Sequence, residues 1–148
     1  MTDEGIIDKN LNVEIDKRSD GSCELNQPCL TQRTIEGLNL SHVETKRRPT
    51  PVATPLLHKC LKGNTRVKEW SYRSTIGVLT YLQGTSRPDI SMAVHRCTRC
   101  LANPKICHER AITRIGRYLL DTECRGLICK YDALKGLEFF AHVDFVGG

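Results

Sequence analysis

From Tyr72 to Leu119 the apolar residues recur at helical spacing, and two short passages interrupt them: Ser86-Arg87-Pro88-Asp89 and Asn103-Pro104. A helical period held that long and cut by proline-bearing breaks restricts this part of the chain to three packed helices. The first, predicted over 71–83, carries Tyr72, Ile76, Leu79 and Leu82 on one side. Gly77 inside it costs about 1 kcal/mol against alanine unless a neighbour packs closely there. The second begins with Ser86 as N-cap, Pro88 in the first turn and Asp89 at the third helical position, and runs through Met92, Val94 and Cys97 to Leu101. The third, over 105–121, sets His108, Ala111, Ile112, Ile115 and Leu119 on one face and Arg110, Arg114 and Arg117 on the other.

Before this helical part the period changes to two. Leu11, Val13 and Ile15 alternate with polar neighbours, and Cys23 and Leu25 do so again after Asp20-Gly21, which predicts a hairpin over 10–27. Pro28 then opens a short helix with Gly37 near its end. Pro49, Pro51 and Pro55, beside the basic run Lys46-Arg47-Arg48, resist regular structure and mark 46–69 as a linker. Two strands are expected at the far end, over 126–129 and 137–143. The predicted fold class is therefore α+β.

Charge is distributed unevenly. Residues 1–50 carry 7 basic and 9 acidic groups, net −2, whereas residues 51–148 carry 15 and 8, net +7. A basic second part points to an anionic partner, most plausibly nucleic acid, with a solvated basic surface as the plainer alternative. Arg110, Arg114 and Arg117, with Arg87, Arg96 and Arg99 on the preceding helix, are the candidate phosphate contacts. No run of 18 apolar residues occurs, and the polar start Met1-Thr2-Asp3-Glu4-Gly5 lacks the features of a signal peptide. The chain reads as intracellular, cytoplasmic or nuclear, with no membrane partner. There its eight cysteines are expected to stay reduced, as small apolar fillers or incidental thiols.

Catalytic chemistry finds little support. Two-metal catalysis needs convergent carboxylates, and the sequence holds no Asp-Asp pair. Cys97, Cys100, Cys107 and His108 are zinc-ligand types, but structural zinc sites place their Cys-x-x-Cys on a turn rather than on a helix face. His108, at the start of the third helix, is expected to pack or hydrogen-bond locally. No glycine-rich phosphate loop is present.

The series Trp70-Ser71-Tyr72-Arg73-Ser74-Thr75-Ile76-Gly77-Val78-Leu79-Thr80-Tyr81-Leu82, Ser86-Arg87-Pro88-Asp89-Ile90, Asn103-Pro104, Arg117-Tyr118-Leu119, Thr122 and Gly126-Leu127 resembles the Pol polyprotein of copia-type LTR retrotransposons. The likeness lies after the reverse transcriptase palm and extends to the first strand of RNase H. Leu11-Asn12-Val13-Glu14-Ile15 and Leu25-Asn26-Gln27 look like the family's hairpin after the palm, with Asn12 where the family usually has glycine. The resemblance implies four parts. Residues 1–45 would be the end of the palm with a primer-grip-like hairpin and first thumb helix, and 46–69 the proline-rich linker. Residues 70–124 would be the helical thumb and connection, and 125–148 the truncated start of an RNase H-like domain.

The resemblance also implies a function. In the intact polyprotein this fragment would hold RNA or DNA primer-template beside the palm and RNase H domains during RNA-directed DNA synthesis, with Mg2+ serving the parent enzyme and no cofactor in the fragment itself. The family's Val-Asp-Asp turn does not occur in this sequence, and His142 replaces the first expected RNase H aspartate while Asp144 is retained nearby. The chain alone is therefore expected to be inactive. The alternative is a small basic helical nucleic-acid-binding or interaction protein derived from such an element.

Overall fold

The computed structural model describes residues 9–10, 12–40, 48–52, 63–67 and 69–130. The expected strand over 137–143, with His142 and Asp144, lies outside them. Among the described residues four strands form one antiparallel sheet in the order β1 (Lys9–Asn10), β2 (Val13–Lys17), β3 (Cys23–Asn26) and β4 (Leu127–Cys129), accompanied by four α-helices: α1 (Pro28–Gly37), α2 (Tyr72–Thr85), α3 (Ser91–Thr98) and α4 (Ile106–Asp121). A 3-10 turn, Pro88–Ile90, joins α2 to α3.

The hairpin is where the alternation places it, with register running from Lys17↔Cys23 to Glu14↔Asn26. Its turn closes through Arg18 N–H to Ser22 O at 2.8 Å and Gly21 N–H to Arg18 O at 3.1 Å. Gly21 takes φ +80°, the left-handed region that a glycine enters without a Cβ penalty. Asp20 Oδ1 accepts from the Ser22 N–H and hydroxyl at 3.0 and 2.6 Å, which holds its carboxyl below the usual range. Between β1 and β2, Asn12 sits at φ +64°. Asparagine tolerates that region better than other side chains.

α1 opens at Pro28 and ends at Gly37, both as expected. Gly37 is the last helical residue, and the left-handed position is Asn39 at φ +54°. The N–H groups of Asn39 and Leu40 reach back to Glu36 O and Ile35 O at 2.8 and 3.2 Å, a Schellman closure. α2 is capped by Ser71, whose Oγ accepts from Ser74 N–H at 3.3 Å.

The start of the second predicted helix also differs. Ser86 is buried and donates its hydroxyl to Gln27 Oε1 at 2.8 Å, so it is not an N-cap. Arg87 holds the cap position of the 3-10 turn. α3 stops at Thr98, short of Leu101, with Cys100 and Leu101 in turns that bond back to Cys97 O and Thr98 O. In α4, Lys105 N–H donates to His108 Nδ1 at 2.9 Å, so the buried histidine caps its own helix.

The core lies where the helices meet. Leu79, Leu82, Ile90, Val94, Ile112, Ile115 and Leu119 are fully buried there, with Ile35 and Leu38 closing it from α1. Gly116 brings α4 close to the end of α1, since a Cβ at that position would lie 2.6 Å from Leu38 Cδ1 and 2.7 Å from Leu40 Cδ1.

The resemblance implies that this segment begins an RNase H-like sheet; the described residues of β4 pair with the hairpin, Leu127 opposite Leu25 and Cys129 opposite Cys23. Leu25 is half-buried and central in the sheet, so β4 shields an edge that the hairpin alone would leave open. Gly126 makes that approach possible: a Cβ there would stand 1.9 Å from Asn26 Oδ1 and 2.6 Å from the Leu25 carbonyl oxygen. Around Gly77, by contrast, nothing lies within 4 Å of the added carbon. Gly126→Ala is therefore expected to lower the unfolding midpoint by several degrees, and Gly77→Ala to raise it through up to about 1 kcal/mol of helix propensity. Thermal unfolding followed by circular dichroism reads both, and equal effects of the two substitutions would contradict this packing.

Candidate nucleic-acid interface

α4 is amphipathic enough to bury Ile112, Ile115 and Leu119 completely, and the same winding turns Arg110, Arg114 and Arg117 toward its other face. These three line a cleft of about 620 Å³. Arg48, from the basic run before the prolines, Val67, Ile106, Glu109 and Thr113 complete its walls. The proline-rich passage thus contributes directly to the site rather than acting only as a linker. Arg114 Nε donates to Thr50 O at 3.1 Å and its Nη2 to Thr50 Oγ1 at 2.9 Å, which pins residues 48–52 against α4.

Arg110 is exposed, and Arg117 is half-buried with its Nε unpartnered by any protein acceptor. The one carboxylate in the wall, Glu109, is buried, accepts from Val67 N–H at 3.2 Å and pairs with Arg66 at 3.6 Å. Arg66 in turn stands 4.8 Å over the Trp70 ring and 5.6 Å over that of Tyr72. Because Arg66 balances Glu109, the four cleft arginines keep a net positive field, suited to phosphate.

The other three candidates are elsewhere. Arg96 is half-buried and Arg99 exposed at the end of α3, and neither lines the cleft. Arg87 corrects the reading of an exposed basic face outright, because it is 1% exposed and bonded internally. Its Nε and Nη2 donate to the two Asp89 carboxylate oxygens at 3.0 and 2.9 Å. Its Nη1 and Nη2 also donate to Thr122 O and Oγ1 at 3.0 and 2.6 Å. The Tyr118 hydroxyl donates to Asp89 Oδ2 at 2.7 Å and receives Arg125 Nη1 at 3.0 Å.

The zinc-ligand types do not assemble: among the described residues no three His, Cys, Asp or Glu side chains converge as metal ligands would. Cys97 lies in the core, where burial pushes its thiol up to about 12. Sequence reasoning missed Arg48, Thr50 and Glu109 as parts of the site. The signal available for the first was its basic run, and nothing local marks the other two.

Known proteins supply the context for this arrangement. The chain is 34% identical over 101 residues to a retrovirus-related Pol polyprotein from transposon RE2 of Arabidopsis thaliana, covering 66% of this chain and 7% of that protein. It is 32% identical over 105 residues to the corresponding polyprotein from transposon RE1 of the same plant, covering 71% and 7%. A putative transposon Ty5-1 protein of Saccharomyces cerevisiae is 27% identical over 145 residues, covering 97% and 46%. The chain is a homologue of copia-type retrotransposon Pol polyproteins. It spans less than half the length of each of these three relatives. No family model matches it, and no solved structure does. No helix among the described residues is long and apolar enough to cross a membrane.

The residues that carry the Pol likeness are, to a large extent, those that hold the fold. Arg87, Asp89, Tyr118 and Thr122 form one hydrogen-bonded network, Ser86 bonds to Gln27, and Gly126 seats β4. Burial alone would raise the Asp89 carboxyl, but the Arg87 and Tyr118 bonds outweigh it and hold it below 3.8. A depressed folded value means that Asp89 contributes stability in full above the ordinary carboxylate range, and that this is lost as pH falls through the folded value. Asp89→Asn should therefore lower the unfolding midpoint at pH 7, with the gap to wild type closing at acid pH. A gap of the same size at pH 7 and at about pH 2, well below the unperturbed value, would show that the carboxylate charge is immaterial.

Proposed function

We propose that this Pol-like segment is the thumb and connection part of a reverse transcriptase, and that in the intact polyprotein it holds RNA or DNA primer-template beside palm and RNase H domains. The hairpin and α1 would form the approach from the palm, and the RNase H-like part would begin after β4. The observation that carries the reading is the cleft, where Arg48, Arg110, Arg114 and Arg117 converge on one face of a homologue of Pol polyproteins. Arginines around an open groove attract phosphate oxygens without reading base identity. That is what an element gripping successive template sequences requires.

The same reading makes the chain a binding element rather than a catalyst. A Mg2+ ion serving polymerase or RNase H chemistry needs converging carboxylates, and the described residues do not fit such a group, since none converge in that way. The sequence has no paired aspartates and carries His142 at the first position expected of an RNase H ligand. The alternative, a small basic helical protein derived from such an element, would use the same cleft.

Binding of the full chain to an RNA–DNA hybrid, followed by fluorescence anisotropy at several salt concentrations, tests the proposal. For B-DNA the logarithm of affinity falls with the logarithm of salt by about 0.9 per neutralised phosphate. The R110Q/R114Q/R117Q variant is expected to flatten the slope by about 2 to 3, whereas R99Q, outside the cleft, should leave it unchanged. An unaltered slope in the triple variant removes the cleft from the interface.

A further inference from the structure

We propose that Cys23 and Cys129 form a cross-strand dithiol that a low-molecular-weight disulfide oxidises to a protein disulfide, tying β4 to the hairpin. The two residues are direct partners in the antiparallel β3–β4 register. Such partners project side chains on the same face with Cα atoms about 4.5 or 5.5 Å apart according to pair type. Both separations lie within the roughly 4.4–6.8 Å that disulfides span. Neither cysteine is in a disulfide; Cys129 is exposed and Cys23 half-buried, so a small reagent reaches the pair from the Cys129 side.

The register is held at the other end of the strand. Gly126 lies against Asn26 and the Leu25 carbonyl, and Leu127 faces Leu25. A one-residue slip would turn Cys129 to the opposite face and break both contacts. No other described cysteine is so placed. Cys97, Cys100 and Cys107 lie in the helical part, and Cys29 and Cys124 are exposed but are not strand partners of another cysteine.

The chemistry is ordinary exchange with oxidised glutathione as the co-reactant. The Cys129 thiolate attacks one glutathione sulfur, forming a mixed disulfide and releasing one glutathione thiolate. The Cys23 thiolate then attacks the Cys129 sulfur, forming the protein disulfide and releasing the second. Two protein thiols are oxidised, one small disulfide is reduced to two thiols, and the two protons end on those thiols. Every described helix lies between the joined residues in the chain, so the bond closes a loop around these helices and constrains their unfolded state. This inference is independent of the nucleic-acid reading.

The test incubates the full chain with oxidised glutathione, blocks remaining thiols with iodoacetamide, and maps peptides by mass spectrometry, with unfolding in urea read in parallel. The expected product is a linked peptide pair containing Cys23 and Cys129, lighter by two hydrogen atoms. It should be absent in C23S and in C129S and retained in C124S. The urea midpoint should rise on oxidation and return on reduction with dithiothreitol. The proposal is overturned if both thiols stay open to alkylation, if a glutathione adduct persists on Cys129 without resolving, or if Cys129 links to another cysteine.

Discussion

The structure depends on one buried guanidinium. Arg87 sits at the junction of α2 and α3, yet its donors are divided between Asp89, two residues away, and the backbone and hydroxyl of Thr122, at the C-terminal cap of α4. A charge in that position is stable only because it is paired and because its remaining N–H groups are satisfied. Asp89 is partly exposed, so the pair is worth less than the roughly 3–5 kcal/mol lost on breaking a fully buried one, yet Arg87 itself lies in the interior. The guanidinium also suits the carbonyl-rich end of a helix. Through this bond the start of α3 and the end of α4 are fixed together, and the direction of α4 sets where Arg110, Arg114 and Arg117 stand.

The sheet depends on the same end of α4. Arg125 reaches the Tyr118 hydroxyl, Gly126 enters against Asn26, and β4 then lies along β3. The hairpin and the helices are thus joined twice. One joint is Gln27, whose Oε1 accepts from Ser86 and Thr85 hydroxyls, and the other is the β3–β4 ladder. Both join residues far apart in sequence, so β4 pairs only where the chain brings residue 126 back to the hairpin. Contacts of that separation carry a loop-closure cost that local helices do not.

Much of this was legible along the chain, because local signals carry it. The Asp20-Gly21 turn, Pro28 at the start of α1, and the apolar period of α2 and α4 each act within a few residues. What was not legible depends on partners distant in sequence. Ser86 has the chemistry of an N-cap, but Gln27 recruits it inward. Arg87 looks like a surface base until Thr122 supplies acceptors 35 positions later. Asn39, two residues past the end of α1, takes the left-handed position that closes the helix, and nothing local marked it for that. The cleft is half legible: three of its arginines follow from helical spacing, whereas Arg48 enters only because Thr50 docks on Arg114.

Substitution of Arg87 by lysine tests the central claim most directly. Lysine keeps the positive charge but cannot reproduce a planar fork that serves a carboxylate and a helix-end carbonyl together. Thermal unfolding and hybrid binding measured on the same R87K preparation should show a fall of several degrees in midpoint, with the salt slope of the folded protein unchanged. An unchanged midpoint accompanied by weakened binding would contradict the account and return Arg87 to the phosphate-contacting face.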